Sequence, residues 1–122
     1  MILLTHGDLL NAQVDALVNA VNTVGVMGAG IALQFREKYP AMFKAYSRAC
    51  ESGEVTLGKM HVFDLGNQDA CPRWIINFPT KGHWREPSRL DDIEAGLEDL
   101  VATVRHLGIR SIAVPPLGCG NG

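Results

Sequence analysis

Short apolar runs and longer periodic segments follow one another along the chain. The short runs are typical of strands, and they lie at residues 2–6, 16–21, 59–66, 73–78 and 111–116. The longer segments repeat apolar residues three and four positions apart, which predicts helices at residues 31–39, 40–53 and 88–107. Strands that alternate with helices, several of them apolar throughout, predict an α/β fold whose largely parallel sheet is covered on both faces.

The predicted helix ends are marked by proline, glycine and a capping pattern. Pro40 ends the first helix and is placed to begin the second, because proline is tolerated in a first helical turn. Gly53 is the predicted cap of the second helix, and Gly108 stops the third. Ser88 and Asp91 match a capping box at the start of the third helix. The apolar positions of the second helix are Met42, Phe43, Tyr46, Ala49 and Cys50.

The composition is that of one soluble globular domain. The chain has 122 residues, of which 47% are hydrophobic and 20% are charged. No apolar run approaches the ~20 residues that cross a bilayer, and MILLTHGDLL lacks a signal-peptide pattern, so we expect neither a membrane span nor a signal peptide. Cys50, Cys71 and Cys119 are odd in number and widely spaced, which favours a reducing, cytoplasmic location without disulfides.

Polar or glycine-rich segments follow four of the predicted strands. Ligands of open parallel sheets lie outside the carboxyl ends of the strands. We therefore expect a pocket at this edge of the sheet, with Lys81 at its mouth. The four segments are Gly7-Asp8, Asn22 with the loop around Gly28, Thr80-Lys81 and the loop 118–122.

Two glycine loops are candidates for binding a diphosphate. The first, GVMGAG at residues 25–30, directly precedes a helix, and the second is PLGCGNG at residues 116–122. Glycine permits a ligand to approach the backbone closely, and a helix N-terminus directs free N–H groups at an anion. Neither loop matches the P-loop, and the glycine spacing reverses the dinucleotide fingerprint. The alternative is that these glycines only form turns.

Single polar side chains at the strand ends each have more than one interpretation. Lys81 is a cation for a phosphate or oxyanion, an amine that attacks a sugar to form a Schiff base, or a solvated surface lysine. Asp8 either accepts a hydrogen bond from an adenine amino group or caps a turn. Asn22 either binds sugar hydroxyls or forms a turn. Asn19 is expected to satisfy buried backbone groups.

Nucleic acid, if bound, is expected to be held locally, because the net charge of −2 disfavours general binding along the surface. His83, Trp84 and Arg85 are the candidates, since phosphate pairing and base stacking together hold a nucleic-acid strand. The alternative is that Trp84 is a packed loop residue. The histidines His6, His61, His83 and His106 lack metal-ligand spacing, so we expect no metal and no cofactor. Cys119 is a weaker candidate nucleophile.

Three stretches together resemble the macrodomain family, which binds ADP-ribose. They are GDLLNAQVDALVNAVN, GVMGAGIALQF and VPPLGCGNG. The resemblance implies a three-layer α/β/α sandwich with a mixed, mostly parallel central sheet. MGAGIALQF, INFPTKGHWR and PPLGCGNG resemble the DarG-type branch, which also includes the human terminal ADP-ribose protein glycohydrolase. DarG-type members are antitoxins that remove the ADP-ribose that a DarT-type toxin attaches to thymidine in single-stranded DNA.

The resemblance also implies a role for individual residues. Lys81 matches the catalytic lysine, next to the distal ribose that Asn22 contacts, and Asp8 holds the adenine. The two glycine loops clamp the diphosphate. The implied ADP-ribose-binding residues are Asp8, Leu9, Ala20, Val21, Asn22, Gly28, Ala29, Gly30, Ile31, Thr80, Leu117, Gly118, Cys119, Gly120, Asn121 and Gly122.

The chain departs from the wider family at two places. The human branch has an aspartate as a second catalytic group at the position of Gly122, whereas DarG-type sequences also have GNG there. We expect residues 1–122 to form one macrodomain without the family's final helix and strand, so that the sheet exposes an apolar edge. Alternative functions are a glycohydrolase for ADP-ribosylated Glu or Asp of proteins, a non-catalytic ADP-ribose-binding module, and an interaction fragment.

Overall fold

The structure, a computed structural model, describes residues 1–4 and 8–117. Within them, five strands and three helices follow the predicted order, with a short 3₁₀ turn at Leu9–Asn11. The strands are β1 (Ile2–Leu4), β2 (Ala16–Asn22), β3 (His61–Asp64), β4 (Trp74–Lys81) and β5 (Ile112–Val114). The helices are α1 (Gly30–Lys38), α2 (Pro40–Glu51) and α3 (Leu90–Leu107). In this part of the chain, no helix combines the length and apolar character that crossing a membrane requires.

The five strands form a single mixed sheet in the order β1-β5-β2-β4-β3. The pairs β1–β5, β5–β2 and β2–β4 are parallel, and β3 runs antiparallel to β4 at the edge. Helices α1 and α2 pack on one face, and α3 packs on the other. The expected α/β/α sandwich with a mostly parallel sheet is therefore confirmed.

The two faces of the sheet bury different sets of side chains, because successive residues of a strand point to opposite faces. Leu17 and Val21 of β2 belong to the core under α1 and α2, whereas Val18 belongs to the core under α3. Every residue of β2 is buried. The end of β2 that forms part of the pocket therefore belongs to a central, fully buried strand.

Helix ends follow the glycine prediction but not the capping-box prediction. Gly53 (φ +78°) and Gly108 (φ +66°) adopt left-handed backbone just after α2 and at the end of α3. However, α3 begins at Leu90 rather than at Ser88, with Arg89 at the cap position in extended conformation and without a side-chain cap hydrogen bond. The predicted box of Ser88 with Asp91 is therefore wrong.

Strand β4 is longer than predicted, since it continues past Phe78 through Pro79 to Lys81. Proline lacks the N–H that a ladder needs and is tolerated where a strand has no neighbour on one side. β3 pairs with β4 only as far as Asn77, so in the part of the chain that the structure describes that side of β4 has no strand partner at Pro79. Lys81 is consequently the last residue of the strand and not the first residue of a loop.

An apolar groove follows the β1 edge of the sheet. Ile2 and Leu4 of β1 are 66% and 80% exposed. With Leu97 and Val101 of α3 and the segment around Pro116, they line a groove of about 670 Å³. The sequence predicts that the sheet has an exposed apolar edge, and the β1 edge has this character.

Candidate functional site at the carboxyl ends of β2 and β4

The central feature of the site is an irregular pairing between the last residues of β2 and β4. Val21 pairs with Pro79, but Asn22 pairs with Lys81, so Thr80 is an extra residue on β4. A β-bulge of this kind redirects side chains and is common beside active sites. Here it places the predicted catalytic lysine directly opposite the predicted ribose-binding asparagine.

Side-chain hydrogen bonds hold this bulge from three directions. The Thr80 hydroxyl donates to the Val21 carbonyl at 3.2 Å. The Thr23 hydroxyl donates to the Gly82 carbonyl at 3.0 Å, and the Tyr46 hydroxyl donates to the Asn22 carbonyl at 2.7 Å. Backbone carbonyls that the irregular ladder would leave open thus have partners, as buried polar groups require.

Lys81 is a buried cation at the end of β4, with 6% of its surface exposed. Among residues 1–4 and 8–117 no carboxylate forms an ion pair with it; the ion pair found there joins Arg73 to Asp64 at the opposite end of β4. An ammonium carried on a largely buried side chain, with no opposite charge beside it among the described residues, would be stabilised by an anionic ligand. The surroundings of Lys81 therefore favour a bound anion over the solvated surface lysine.

Asn22 organises the loop that follows it. Its side-chain Nδ2 donates to the Val26 carbonyl at 2.8 Å, and its Oδ1 accepts from the N–H groups of Val24 and Val26 at 3.1 and 3.3 Å. These bonds close the loop 23–28 into a fixed shape. Asn22 is thus a turn former. Its contact with a ribose stays a prediction, and the second Nδ2–H, which does not bond to Val26, is the group that could make it.

A cavity of about 310 Å³ lies beside this loop. It brings together six of the predicted site residues, and two further lining residues, Val26 and Ala32, were not predicted. Ala32 could have been predicted from the sequence, because it lies in the first turn of the helix that follows the glycine loop. Val26 could not, because its exposure to the cavity depends on the turn that Asn22 forms. The predicted residues that line the cavity are Ala20, Val21, Asn22, Gly28, Ala29 and Trp84.

The glycines of the first loop serve different purposes. Gly25 (φ +88°) and Gly30 (φ +58°) have left-handed backbone, so the turn interpretation holds for these two. Gly28 has no such constraint, and a Cβ there would meet only Val26 at an ordinary distance of 3.5 Å. Its missing side chain enlarges the cavity, which favours the ligand interpretation at Gly28.

The N-terminus of α1 borders the same cavity through Ala29, its cap residue, and Ala32. Among the described residues no side chain caps this helix, and its first turn contains no acidic residue. The Leu33 N–H bonds back to the Ala29 carbonyl, which leaves the preceding N–H groups of the first turn without helical partners. Free N–H groups and the positive end of the helix dipole are suited to a phosphate.

Trp84 lines the other side of the cavity while 44% exposed. Its ring stacks on that of His83, with centroids 3.7 Å apart and planes 27° from parallel. The Arg85 guanidinium lies 5.9 Å from the Trp84 ring centroid. These three residues form one aromatic and cationic group at the mouth, which disfavours the alternative that Trp84 is merely a packed loop residue.

Other predicted site residues do not line this cavity. Lys81 is one of them: it pairs with the lining residue Asn22 but is not part of the lining itself. Asp8 is exposed and precedes the 3₁₀ turn, where its side chain makes no cap bond. Leu9 is fully buried in the core, with none of its surface exposed, so its predicted contact with a ligand stays a prediction. Leu117 lines the apolar groove instead. The predicted loop 118–122, which includes Cys119, lies outside the described residues.

A chain of buried polar side chains crosses the sheet behind the site. Asn19 Nδ2 donates to Asn77 Oδ1 at 3.1 Å, and Asn77 Nδ2 lies 3.1 Å from His61 Nδ1. The expectation that Asn19 satisfies buried backbone groups is therefore wrong: its partners are the side chains of Asn77, on the adjacent strand, and Met27. Neither this group nor any other set of His, Cys, Asp and Glu in the described part of the chain is arranged to hold a metal ion.

Comparison with known proteins assigns the family. The Macro domain family matches residues 18–122. This chain belongs to the macro domain family. The macrodomain is 62% identical, over all 122 residues, to the DNA ADP-ribosyl glycohydrolase of Mycobacterium tuberculosis, and it spans 34% of the length of that protein.

Solved structures agree with this assignment. The macrodomain of M. tuberculosis DarG matches with a TM-score of 0.93 and 62% identity, covering all of this chain and 80% of that one. Thermosipho africanus DarTG in complex with ADP-ribose matches with a TM-score of 0.88 and 36% identity, covering 98% of this macrodomain and 34% of that chain. A more distant sequence relative, the human ADP-ribose glycohydrolase OARD1, is 26% identical over a region that covers 93% of this chain and 69% of the human protein. The DarG-type resemblance is confirmed.

Proposed function

We propose that this macrodomain binds ADP-ribose in the cavity beside β2 and removes it from ADP-ribosylated DNA. The observation that carries the proposal is the pairing of Lys81, across the bulge, with Asn22, which lines the cavity. Identity of 62% to a DNA ADP-ribosyl glycohydrolase over the whole chain supports the same activity. We further propose thymidine in single-stranded DNA as the substrate and an antitoxin role against a DarT-type toxin in the cytoplasm.

The two ends of the nucleotide would meet different parts of the site. The diphosphate would lie on the free N–H groups of α1 beside Gly28, where a phosphate is favoured. The distal ribose would then lie toward Asn22 and Lys81, and the adenine toward Asp8. The alternative of turn-forming glycines explains Gly25 and Gly30 but does not explain Gly28.

Lys81 has two possible roles in the bond cleavage. As an ammonium it stabilises the negative charge that develops on the departing nucleobase. As an amine it attacks the anomeric carbon: the bond from this carbon to the base breaks, its electron pair leaves with the base, and the base takes a proton. Opening of the sugar then gives a Schiff base, and water hydrolyses it to ADP-ribose and free lysine.

The first test is turnover of an oligonucleotide that contains ADP-ribosylated thymidine. Lys81→Ala should reduce release of ADP-ribose by at least about 100-fold, in the range of a lost acid–base or nucleophilic group. Binding of free ADP-ribose, measured by calorimetry, should persist. Lys44→Ala changes an exposed lysine of α2 and serves as the matched control. Full turnover by Lys81→Ala would refute the proposal.

Two further arms distinguish the remaining alternatives. Lys81→Arg keeps the positive charge but removes the amine nucleophile, so partial activity of this variant would indicate the ammonium role. Covalent trapping of the wild-type protein with substrate by borohydride would indicate the Schiff base. A protein ADP-ribosylated on Glu or Asp is assayed beside the DNA. Faster turnover of that protein than of the DNA would show that ADP-ribosylated protein is the substrate. Tight binding of ADP-ribose without turnover of either substrate would show that the domain is a non-catalytic binding module.

A further inference from the structure

Tyr46 connects helix α2 to the site. It is one of the largest fully buried side chains, and its periodic position alone predicts a core residue. Its hydroxyl nevertheless lies 2.7 Å from the Asn22 carbonyl and 2.8 Å from Asn22 Oδ1. One hydroxyl proton is shared between both oxygens of the same residue, so Tyr46 fixes the main chain and the side chain of Asn22 together.

The same turn of α2 also supports the loop that Asn22 closes. Cys50 lies on the same face of α2, near the Tyr46 hydroxyl. A Cβ at Gly25 would lie 3.5 Å from Cys50 Cβ and 3.7 Å from Ser47 Oγ, so the loop backbone packs directly on the helix. Burial, followed by the nearby Cys50, raises the pKa of Tyr46 far above its ordinary value of 10.0, so the hydroxyl keeps its proton.

The orientation of the Asn22 amide follows from its partners. Oδ1 faces three donors: the Tyr46 hydroxyl and the N–H groups of Val24 and Val26. A reversed amide would turn its NH₂ group toward the two backbone N–H donors, which is unfavourable because neither of them can accept a hydrogen bond. One Nδ2–H donates to Val26, and the other is left for a ligand in the cavity that Asn22 lines.

We propose that Tyr46 is a positioning residue for ADP-ribose cleavage, acting through Asn22. Its hydroxyl holds the Asn22 amide so that the second Nδ2–H is directed at the distal ribose, opposite the Lys81 amine. The proposal rests on the proposed function, because it assigns the residue that orients the sugar in that reaction.

The test compares two tyrosine-to-phenylalanine variants in turnover of the ADP-ribosylated oligonucleotide. Tyr46→Phe removes one buried hydroxyl and keeps the ring, and should lower kcat about tenfold, as expected for one lost hydrogen bond that orients the reacting sugar. KM and the Kd for ADP-ribose should change less than kcat. Tyr39→Phe makes the same change on the partly exposed residue before α2, whose hydroxyl forms no hydrogen bond to a described residue, and should leave kcat unchanged.

A double-mutant cycle separates positioning from general destabilisation. If Tyr46 acts through Asn22, Tyr46→Phe should have no further effect on kcat in an Asn22→Ala background. Additive losses, or an unchanged kcat for Tyr46→Phe that is still folded by circular dichroism, would overturn the inference. An equal loss with Tyr39→Phe would overturn it as well.

A readout without turnover keeps the inference apart from the proposed function. The side-chain amide signals of Asn22 are followed by NMR during titration with ADP-ribose. They should shift in wild type and in Tyr39→Phe, and shift less in Tyr46→Phe. If wild type releases no ADP-ribose, the proposed function fails, and this titration still decides whether Tyr46 orients Asn22 toward the ligand: equal shifts in all three proteins would contradict it.

Discussion

At the scale of single residues, the hydrogen-bonded side chains of Asn19, Asn77 and His61 couple the protonation state of His61 to folding. Asn77 Oδ1 already accepts from Asn19, so its Nδ2 donates to His61 Nδ1, which must be unprotonated. Burial lowers the pKa of His61 below its ordinary value of 6.5, and the negative charge of Glu54 opposes this only in part. The folded protein therefore favours neutral His61.

The pH dependence of stability follows from this lowered pKa. Above pH 6.5 His61 is neutral in both states, and its full contribution is present. As pH falls from 6.5 through the lower folded-state pKa, the unfolded chain binds the proton more readily, so the free energy of unfolding decreases. Urea denaturation at about pH 8 and about pH 5, on either side of the ordinary histidine pKa, should show this decrease in wild type and a smaller one in His61→Gln.

His106→Gln is the control, since this side chain is exposed on α3. It should keep the wild-type pH dependence. The same decrease in His61→Gln as in wild type would contradict the role given to His61.

Trp84 gives the prediction that tests the nucleic-acid side of the site. A base that stacks on an aromatic side chain contributes about 1–3 kcal/mol. Trp84→Ala should therefore lower kcat/KM for the ADP-ribosylated oligonucleotide roughly 5- to 150-fold. Trp84→Phe keeps a ring and should lose less. If binding of free ADP-ribose weakens as much as turnover of the oligonucleotide, Trp84 contacts the nucleotide and not the DNA.

At the scale of elements, α3 lies unusually close to β4 at one point. A Cβ added at Gly96 would lie 2.4 Å from Phe78 Cζ, and the Phe78 ring is fully buried. Real Cβ atoms do not approach a neighbour so closely, so helix and strand would have to separate. The glycine is therefore required by packing even though it disfavours the helix.

Gly96→Ala should be destabilising in spite of the better helix propensity of alanine. The propensity gain is about 1 kcal/mol, whereas overpacking a core typically costs about 1–3 kcal/mol and occasionally more. We expect a net loss of up to about 2 kcal/mol in urea denaturation. Phe78→Leu should relieve the clash, so the double variant should lose less than the sum of the single variants. A stabilised Gly96→Ala would show that α3 can move away from β4 at little cost.

At the scale of the whole molecule, the apolar groove is the main exposed hydrophobic surface in the described part of the chain. Ile2, Leu4, Leu97 and Val101 are all exposed, and they lie together. Contiguous apolar surface of this kind favours association. We therefore expect the 122-residue chain to self-associate as its concentration rises.

Sedimentation velocity tests this expectation. Val101→Glu places a charge in the groove and should lower the average mass at high concentration. Ala102→Glu adds the same charge on the neighbouring, exposed position of α3, outside the groove, and should behave like wild type. A wild-type chain that stays monomeric at every concentration would contradict the prediction.

The order of elements could be predicted from the sequence because burial alone determines the apolar periodicity. Prediction failed where neighbours decide the outcome: β4 passes through Pro79 since β3 ends earlier, and α3 begins after Ser88 without the predicted cap. Asn22 and Lys81 are both predictable at strand ends, but their pairing depends on a register shift that no local pattern encodes. Periodicity assigns Tyr46 only to the core, because its bond to Asn22 joins residues 24 positions apart.

The loop 23–28 owes its form to bonds that Asn22 makes within four positions of itself, together with one from α2. An incoming nucleotide thus encounters a wall already in its final shape. Little conformational entropy is lost when the complex forms, so affinity reflects the bonds made to the nucleotide more than the cost of ordering the protein. Free and occupied proteins should accordingly superimpose closely along this wall.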